Sequence, residues 1–191
     1  MSYTKDFRSW SEPVAVPQAD PLTDTAFSAT ILRNGTLVAM TRTQVIVGND
    51  WQDPAGYRSV AAFKANHYGE GADMWHDPTT STFHMLSHNG DLMGTTCGEH
   101  YFSTDLITWA THGCAYRAKG VEFADGTTRS FGRRERPHMI WAPAGGSKAV
   151  APVPVALSTA VTPLPTECIG HPCLWRFPDA SITLFQGIKA G

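Results

Sequence analysis

The sequence predicts an all-β fold of propeller type, and three observations predict it. An eight-residue phrase, Tyr3-Thr4-Lys5-Asp6-Phe7-Arg8-Ser9-Trp10, returns 99 positions later as Phe102-Ser103-Thr104-Asp105-Leu106-Ile107-Thr108-Trp109. Both copies read aromatic, hydroxyl, any residue, Asp, apolar, any residue, hydroxyl, Trp. That spacing holds two units of ~45–50 residues, the length of a four-stranded propeller blade. Second, 17 Gly and 13 Pro punctuate a chain that is 10% aromatic with six Trp, a mixture that favours short strands and many turns. Third, no stretch of ten or more residues carries the spacing of an amphipathic helix; Ser59–Asn66 is expected to make a turn or two at most.

The elements follow in chain order. Each copy of the repeated phrase reads as a hairpin tip in which the aspartate accepts backbone N–H bonds where the chain reverses. The Trp is expected to return into the space between neighbouring sheets. Ser28–Leu32 and Thr36–Arg42 flank Asn34-Gly35, the strongest short hairpin signal in the chain. Trp51–Phe63 reads as an irregular, aromatic-containing connection. A second unit runs from Ala72–His76 through the turn Asp77-Pro78-Thr79-Thr80 to Thr82–His88. A third pairs His138–Trp141 with Val153–Ser158 across a loose Gly-Gly loop, and the Ala-, Val- and Pro-rich stretch 150–165 also reads as a surface loop. The strands that should precede the first Asp turn in its own blade would lie before Met1. The expectation is therefore a single partial propeller domain, residues 1–191, of about four blades with the first one cut.

Charged residues make up only 17% of the chain and the net charge is −2, so there is no basic footprint for nucleic acid. No run of 18 apolar residues spans a membrane, and the N-terminus has no apolar core of a signal peptide. The four cysteines point elsewhere. Cys97 and Cys114 lie eight residues either side of Asp105-Leu106, and in a regular hairpin they face each other at disulfide spacing. Cys168 and Cys173 enclose a short loop and suit a second, local bridge. An even cysteine count with such spacing suggests an oxidising compartment; four reduced core cysteines is the other reading. Asn34-Gly35-Thr36 is a glycosylation acceptor triplet. A Cys–His metal site around His171 lacks any CxxC pair, and no metal or cofactor is expected.

Three segments carry a resemblance: Glu70-Gly71-Ala72-Asp73-Met74-Trp75, Cys97-Gly98-Glu99-His100-Tyr101-Phe102-Ser103 through Trp109, and Arg134-Glu135-Arg136-Pro137. Together they resemble the five-bladed β-propeller glycosidase clan, in the region of glycoside hydrolase family 43 and the invertase-like family 32. The match is similar to secreted members with Glu-Asp-Pro-Phe-x-Trp, Gly-Gly-His-x-x-Ser-x-Asp-Gly-x-Thr-Trp and Arg-Glu-Arg-Pro segments, and covers roughly residues 1 to 160 in order. The resemblance implies a carbohydrate held in a central funnel at the ends of the innermost strands. It also implies three inward carboxylates: a base or nucleophile, a stabiliser and a proton-donating Glu.

Glu135 falls where that proton donor would be, between Arg134 and Arg136, and is either the acid or half of a structural ion pair. Glu70 matches the family's Glu, but Gly71 stands where an Asp is expected. Asp73, two residues on and on the same side of a strand, either substitutes for it or caps a local turn. The first carboxylate would precede Met1, so the catalytic set is incomplete. His88, His100, His138, Arg42 and Arg136 are the residues expected to contact substrate. His84, His88, His100 and His138 either line a central polar pocket, or hold a metal or a water there, which for a metal needs three or more converging ligands, or are hydrogen-bonded core histidines. Trp75 and Trp141 read as blade-packing residues. The function implied is a glycosidase-like propeller acting on or binding an oligosaccharide or polysaccharide, secreted in its full-length form. The alternative is a non-catalytic carbohydrate-binding or structural propeller module.

Overall fold

Turn chemistry sets the strand order. The computed structural model describes residues 6–12, 27–41, 44–62, 72–88, 97–142, 152–162 and 182–188. Among them every regular element except one three-residue helical turn is a β-strand. The fold is all-β, built of antiparallel sheets.

The first sheet runs β1 (Phe27–Ile31), β2 (Leu37–Thr41), β3 (Gln44–Gly48) and β4 (Arg58–Ala62), each strand beside the next. Asn34-Gly35 makes the first reversal as expected, with Gly35 at φ +86°, a backbone region that costs glycine little. The second reversal is held by the Gln44 N–H, which donates to the Thr41 hydroxyl at 3.2 Å. β2 is buried along its whole length and β3 nearly so. Cover on both faces is why they read as apolar runs without alternation.

Residues 51–62 depart from expectation. Asp53 caps a helical turn over Pro54–Gly56, and the chain then enters β4 and pairs with β3. The helical turn expected over Ser59–Asn66 is instead strand as far as Ala62. Val60 and Ala61 pack against the core, and that burial overrides the helical preference of an Ala-rich segment.

The second sheet runs β5 (Asp73–Asp77), β6 (Thr82–His88), β7 (Cys97–Ser103) and β8 (Ala110–Arg117). Asp77 accepts from the Thr79 N–H at 2.8 Å and the Thr80 hydroxyl at 2.9 Å to turn β5 into β6. Cys97 and Cys114 are disulfide-bonded, although not by regular pairing. Two register shifts put Cys114 opposite Glu99 and Cys97 opposite Arg117. β7 also carries Gly98 opposite Tyr116, where a Cβ would collide with the tyrosine ring.

A two-stranded ribbon follows, β9 (Val121–Glu122) with β10 (Thr128–Arg129). The third sheet has β11 (Arg133–Ala142), β12 (Val153–Thr162) and β13 (Ile182–Gly187) in order. The stretch expected to loop out at 150–165 is thus mostly strand, because Leu157, Thr159 and Val161 alternate into the interior.

Packing stacks the sheets. Met74, Phe83, Met85 and Tyr101 on one face of the second sheet meet Val38, Met40 and Val45 of the first. Leu86 and Tyr116 on its other face meet Met139 and Leu157 of the third, with Trp75 and Trp141 packed alongside. Both tryptophans therefore pack between sheets, as expected. The first strands of the three sheets are also tied together. The Met74 N–H on β5 donates to the Ser28 hydroxyl on β1 at 2.8 Å. The Met139 N–H on β11 donates to Asp73 Oδ2 on β5 at 2.7 Å.

Candidate functional site

The polar residues singled out in the sequence fall into three groups. The first joins β5 to β11. Asp73, on the first residue of β5, is mostly buried; besides the Met139 N–H it meets His138 Nδ1 at 3.3 Å through Oδ1. Met139 lies just beyond a bulge between Glu135 and His138, and a backbone donor beside a ladder irregularity needs an acceptor. Asp73 supplies it from the neighbouring sheet. Among the described residues it caps no local turn; it fastens one sheet to the next, with the exposed imidazole of His138 at its rim.

The second group centres on Glu135. Its Oε1 is in contact with Arg133 Nε and lies 3.7 Å from Nε2 of the buried His88. Arg134 and Arg136, its sequence neighbours, do not pair with it. Alternation along the strand puts residues 133 and 135 on one side and 134 on the other. Arg134 runs inward and is 5% exposed. It donates to the Thr159 hydroxyl at 2.9 Å, the Arg117 carbonyl at 2.9 Å and Gln186 Oε1 at 2.8 Å, and sits 4.9 Å over the Tyr116 ring. Burial pulls its pKa below the usual guanidinium value. Burial also raises the Tyr116 phenol, against the opposing pull of Arg134. Arg136 is exposed at φ +51° within the bulge, a backbone region unfavourable for a non-glycine residue.

The third group is aromatic. His84 Nδ1 and His100 Nε2 approach to 3.0 Å across β6 and β7, their ring planes within 16° of parallel. One imidazole is donor and the other acceptor, so the pair shares a proton edge to edge. Trp75 lies nearly parallel to both, at 5.2 and 5.9 Å between centroids. Burial lowers the pKa of both histidines, His100 to about 4, with the neighbouring imidazoles His84 and His112 adding to the shift at His100. In both rings that burial favours the neutral form.

The four histidines therefore do not converge. His88 serves Glu135, His138 serves Asp73, and His84 and His100 serve each other. Among the described residues no group of three or more His, Cys, Asp or Glu side chains is arranged to hold a metal. Glu70, Arg42, His171, Cys168 and Cys173 lie outside the described residues. Sequence reasoning missed Arg133 as the partner of Glu135 and Arg134 as an inter-strand tie. The i, i+2 rule for strands was the signal available for both. Among the described residues no helix is long and apolar enough to cross a membrane.

No protein-family model matches the chain, and no curated protein matches it. Among solved structures it is similar to the α-L-arabinofuranosidase Arb93A from Fusarium graminearum in complex with an iminosugar inhibitor. The identity is 12% and the TM-score 0.44, with 88% of this chain and 46% of that one covered. The chain spans less than half the length of that protein.

Proposed function

We propose that this chain is a glycosidase-like β-propeller of the five-bladed type, about four blades of it lying within residues 1–191, that binds an oligosaccharide or polysaccharide against the first strands of its sheets. One observation carries the reading. β1, β5 and β11 each open a sheet, and β5 is hydrogen-bonded on one side to β1 and on the other to β11. Stacked four-stranded units with their first strands side by side are how blades meet around an axis. Those strands carry the carboxylates of Asp73 and Glu135 and the imidazole of His138, and His88, at the end of β6, lies beside Glu135. Carboxylates and imidazoles orient sugar hydroxyls through directional hydrogen bonds. Arg136 and, from the sequence, Arg42, Glu70 and His100 are the further residues assigned to this ligand. The disulfide supports an extracellular setting.

Hydrolysis would use Glu135 as proton donor and Asp73 or Glu70 as the second carboxylate. The geometry favours binding without hydrolysis, because Glu135 is engaged by Arg133 and Asp73 by a backbone N–H and His138. The test is a thermal melt of the chain against a panel of plant and microbial oligosaccharides, run beside an assay for released reducing ends. A ligand at 100 times its Kd raises stability by about 2.7 kcal/mol, and His138→Ala should weaken that ligand about tenfold without lowering the unliganded Tm. A panel that leaves Tm unmoved defeats the reading. Where reducing ends are released, Glu135→Gln must abolish their release for Glu135 to keep the acid role.

A further inference from the structure

We infer that Asn34 is a site of N-linked glycosylation, carrying its glycan at the exposed tip of the β1–β2 hairpin. The inference is independent of the carbohydrate-binding reading. Asn34-Gly35-Thr36 is the one Asn-x-Ser/Thr triplet in the 191 residues, so any N-glycan on the chain has a single address. The fold presents that address at the surface. Asn34 is exposed, and an added Cβ at Gly35 would meet nothing within 4 Å. A saccharide there displaces no packed residue.

Local geometry fixes the side chain as well. The Thr36 N–H donates to Asn34 Oδ1 at 3.1 Å. Because an N–H can bond only to the amide oxygen, the assignment of oxygen and nitrogen follows from chemistry. The oxygen is turned into the Asx turn, and Nδ2 is the amide's outer atom. The turn is held independently by the Gly35 N–H to the Leu32 carbonyl at 2.9 Å, the Leu32 N–H to the Thr36 carbonyl at 2.8 Å and the Trp51 N–H to the Gly35 carbonyl at 3.0 Å. The third residue of the triplet is a threonine, whose hydroxyl the acceptor motif requires. A second observation points to the compartment where the reaction takes place: the Cys97–Cys114 disulfide belongs to an oxidising environment.

The step balances without a redox partner. Asn34 Nδ2 attacks the anomeric carbon of a lipid-pyrophosphate-linked oligosaccharide, the donor class for this transfer. The new N–C bond forms as the C–O bond to pyrophosphate breaks. The lipid pyrophosphate leaves with the electron pair, and the amide proton passes to a base of the transferase.

The experiment expresses the full chain behind a cleavable leader in a eukaryotic secretory host and maps peptides from both the microsomal and the secreted pools. Expected is a mass excess of one core oligosaccharide on the peptide containing Asn34, removed by peptide N-glycosidase with conversion of that residue to Asp. The excess is lost in Asn34→Gln and Thr36→Ala and kept in Thr36→Ser. Wild-type chain with an intact Cys97–Cys114 bridge and an unmodified Asn34 in both pools overturns the inference. So does a mass excess that survives Asn34→Gln.

Discussion

The two copies of the repeated phrase make the same turn in different surroundings. Asp6 Oδ1 accepts from the Arg8 and Ser9 N–H groups, both at 2.8 Å. Asp105 Oδ1 accepts from the Ile107 and Thr108 N–H groups, at 2.8 and 2.7 Å. The residue after each aspartate takes a left-handed backbone, Phe7 at φ +58° and Leu106 at φ +65°. The likeness ends at the side chains. Leu106 and Trp109 pack against the core between the first and second sheets, and the Trp109 indole N–H donates to the Leu106 carbonyl at 3.3 Å. Phe7 is 86% exposed and Trp10 61%. The expected return of the Trp between sheets holds for Trp109 and fails for Trp10. Eight residues are enough to specify a turn, since the aspartate bonds its own backbone. What the tryptophan touches is decided by the sheets around it.

The largest test of this contrast is the disulfide, which closes a 17-residue separation around the Asp105 turn. Among the described residues no such bond flanks the Asp6 turn. Replacing Cys97 and Cys114 together by Ala should cost about 3 kcal/mol by the loop-entropy relation. At roughly 2–4 °C per kcal/mol for a chain of this size, that reads as a fall in Tm of about 10 °C. An unchanged melt would mean that the second turn owes its packing to the sheets alone. Next in size, Trp109→Ala should destabilise by about 2–3 kcal/mol through lost burial and the space left behind. Trp10→Ala should stay within about 0.5 kcal/mol, as exposed substitutions do. Chemical denaturation of the two variants measures the difference directly, and equal effects would show that Trp10 is packed in solution.

The same division between local and distant causes explains how far the sequence could be read. The hairpins at Asn34-Gly35 and Asp77–Thr80 were legible because turn residues act on their own backbone. β4 was not, since Ser59-Val60-Ala61-Ala62 has no turn signal of its own and becomes strand only by pairing with β3. The Cys97–Cys114 bridge was legible from symmetry about the turn, but the two register shifts beside it were not. At the site, Glu135 could be singled out from its segment. Its partner could not be taken from the arginines on either side of it, because adjacent strand residues face opposite ways. Asp73 acting on Met139 crosses 66 positions of sequence, a distance over which no local pattern speaks.

The smallest expected effect separates the two aspartates themselves. Backbone N–H bonds from Thr108 and Ile107 hold the Asp105 carboxyl at about 2, against an ordinary value of 3.8. A carboxyl lowered in the folded chain adds stability above its unfolded pKa, and loses it as pH falls through the folded value. Asp105→Ala should therefore lower Tm by a few degrees at neutral pH. The gap from wild type should hold down to about pH 5 and close toward pH 2. Asp6→Ala should leave Tm nearly unchanged at every pH. Its turn makes the same bonds, but the Trp it presents is exposed, so opening that turn costs the global fold little. Melts of both variants across pH 2 to 7 decide it. A gap for Asp105→Ala that persisted undiminished at pH 2 would place its contribution in the neutral hydrogen bonds with Ser103 rather than in the carboxylate charge. An Asp6→Ala variant that melted as early as Asp105→Ala would mean that the first turn, like the second, is coupled to the core.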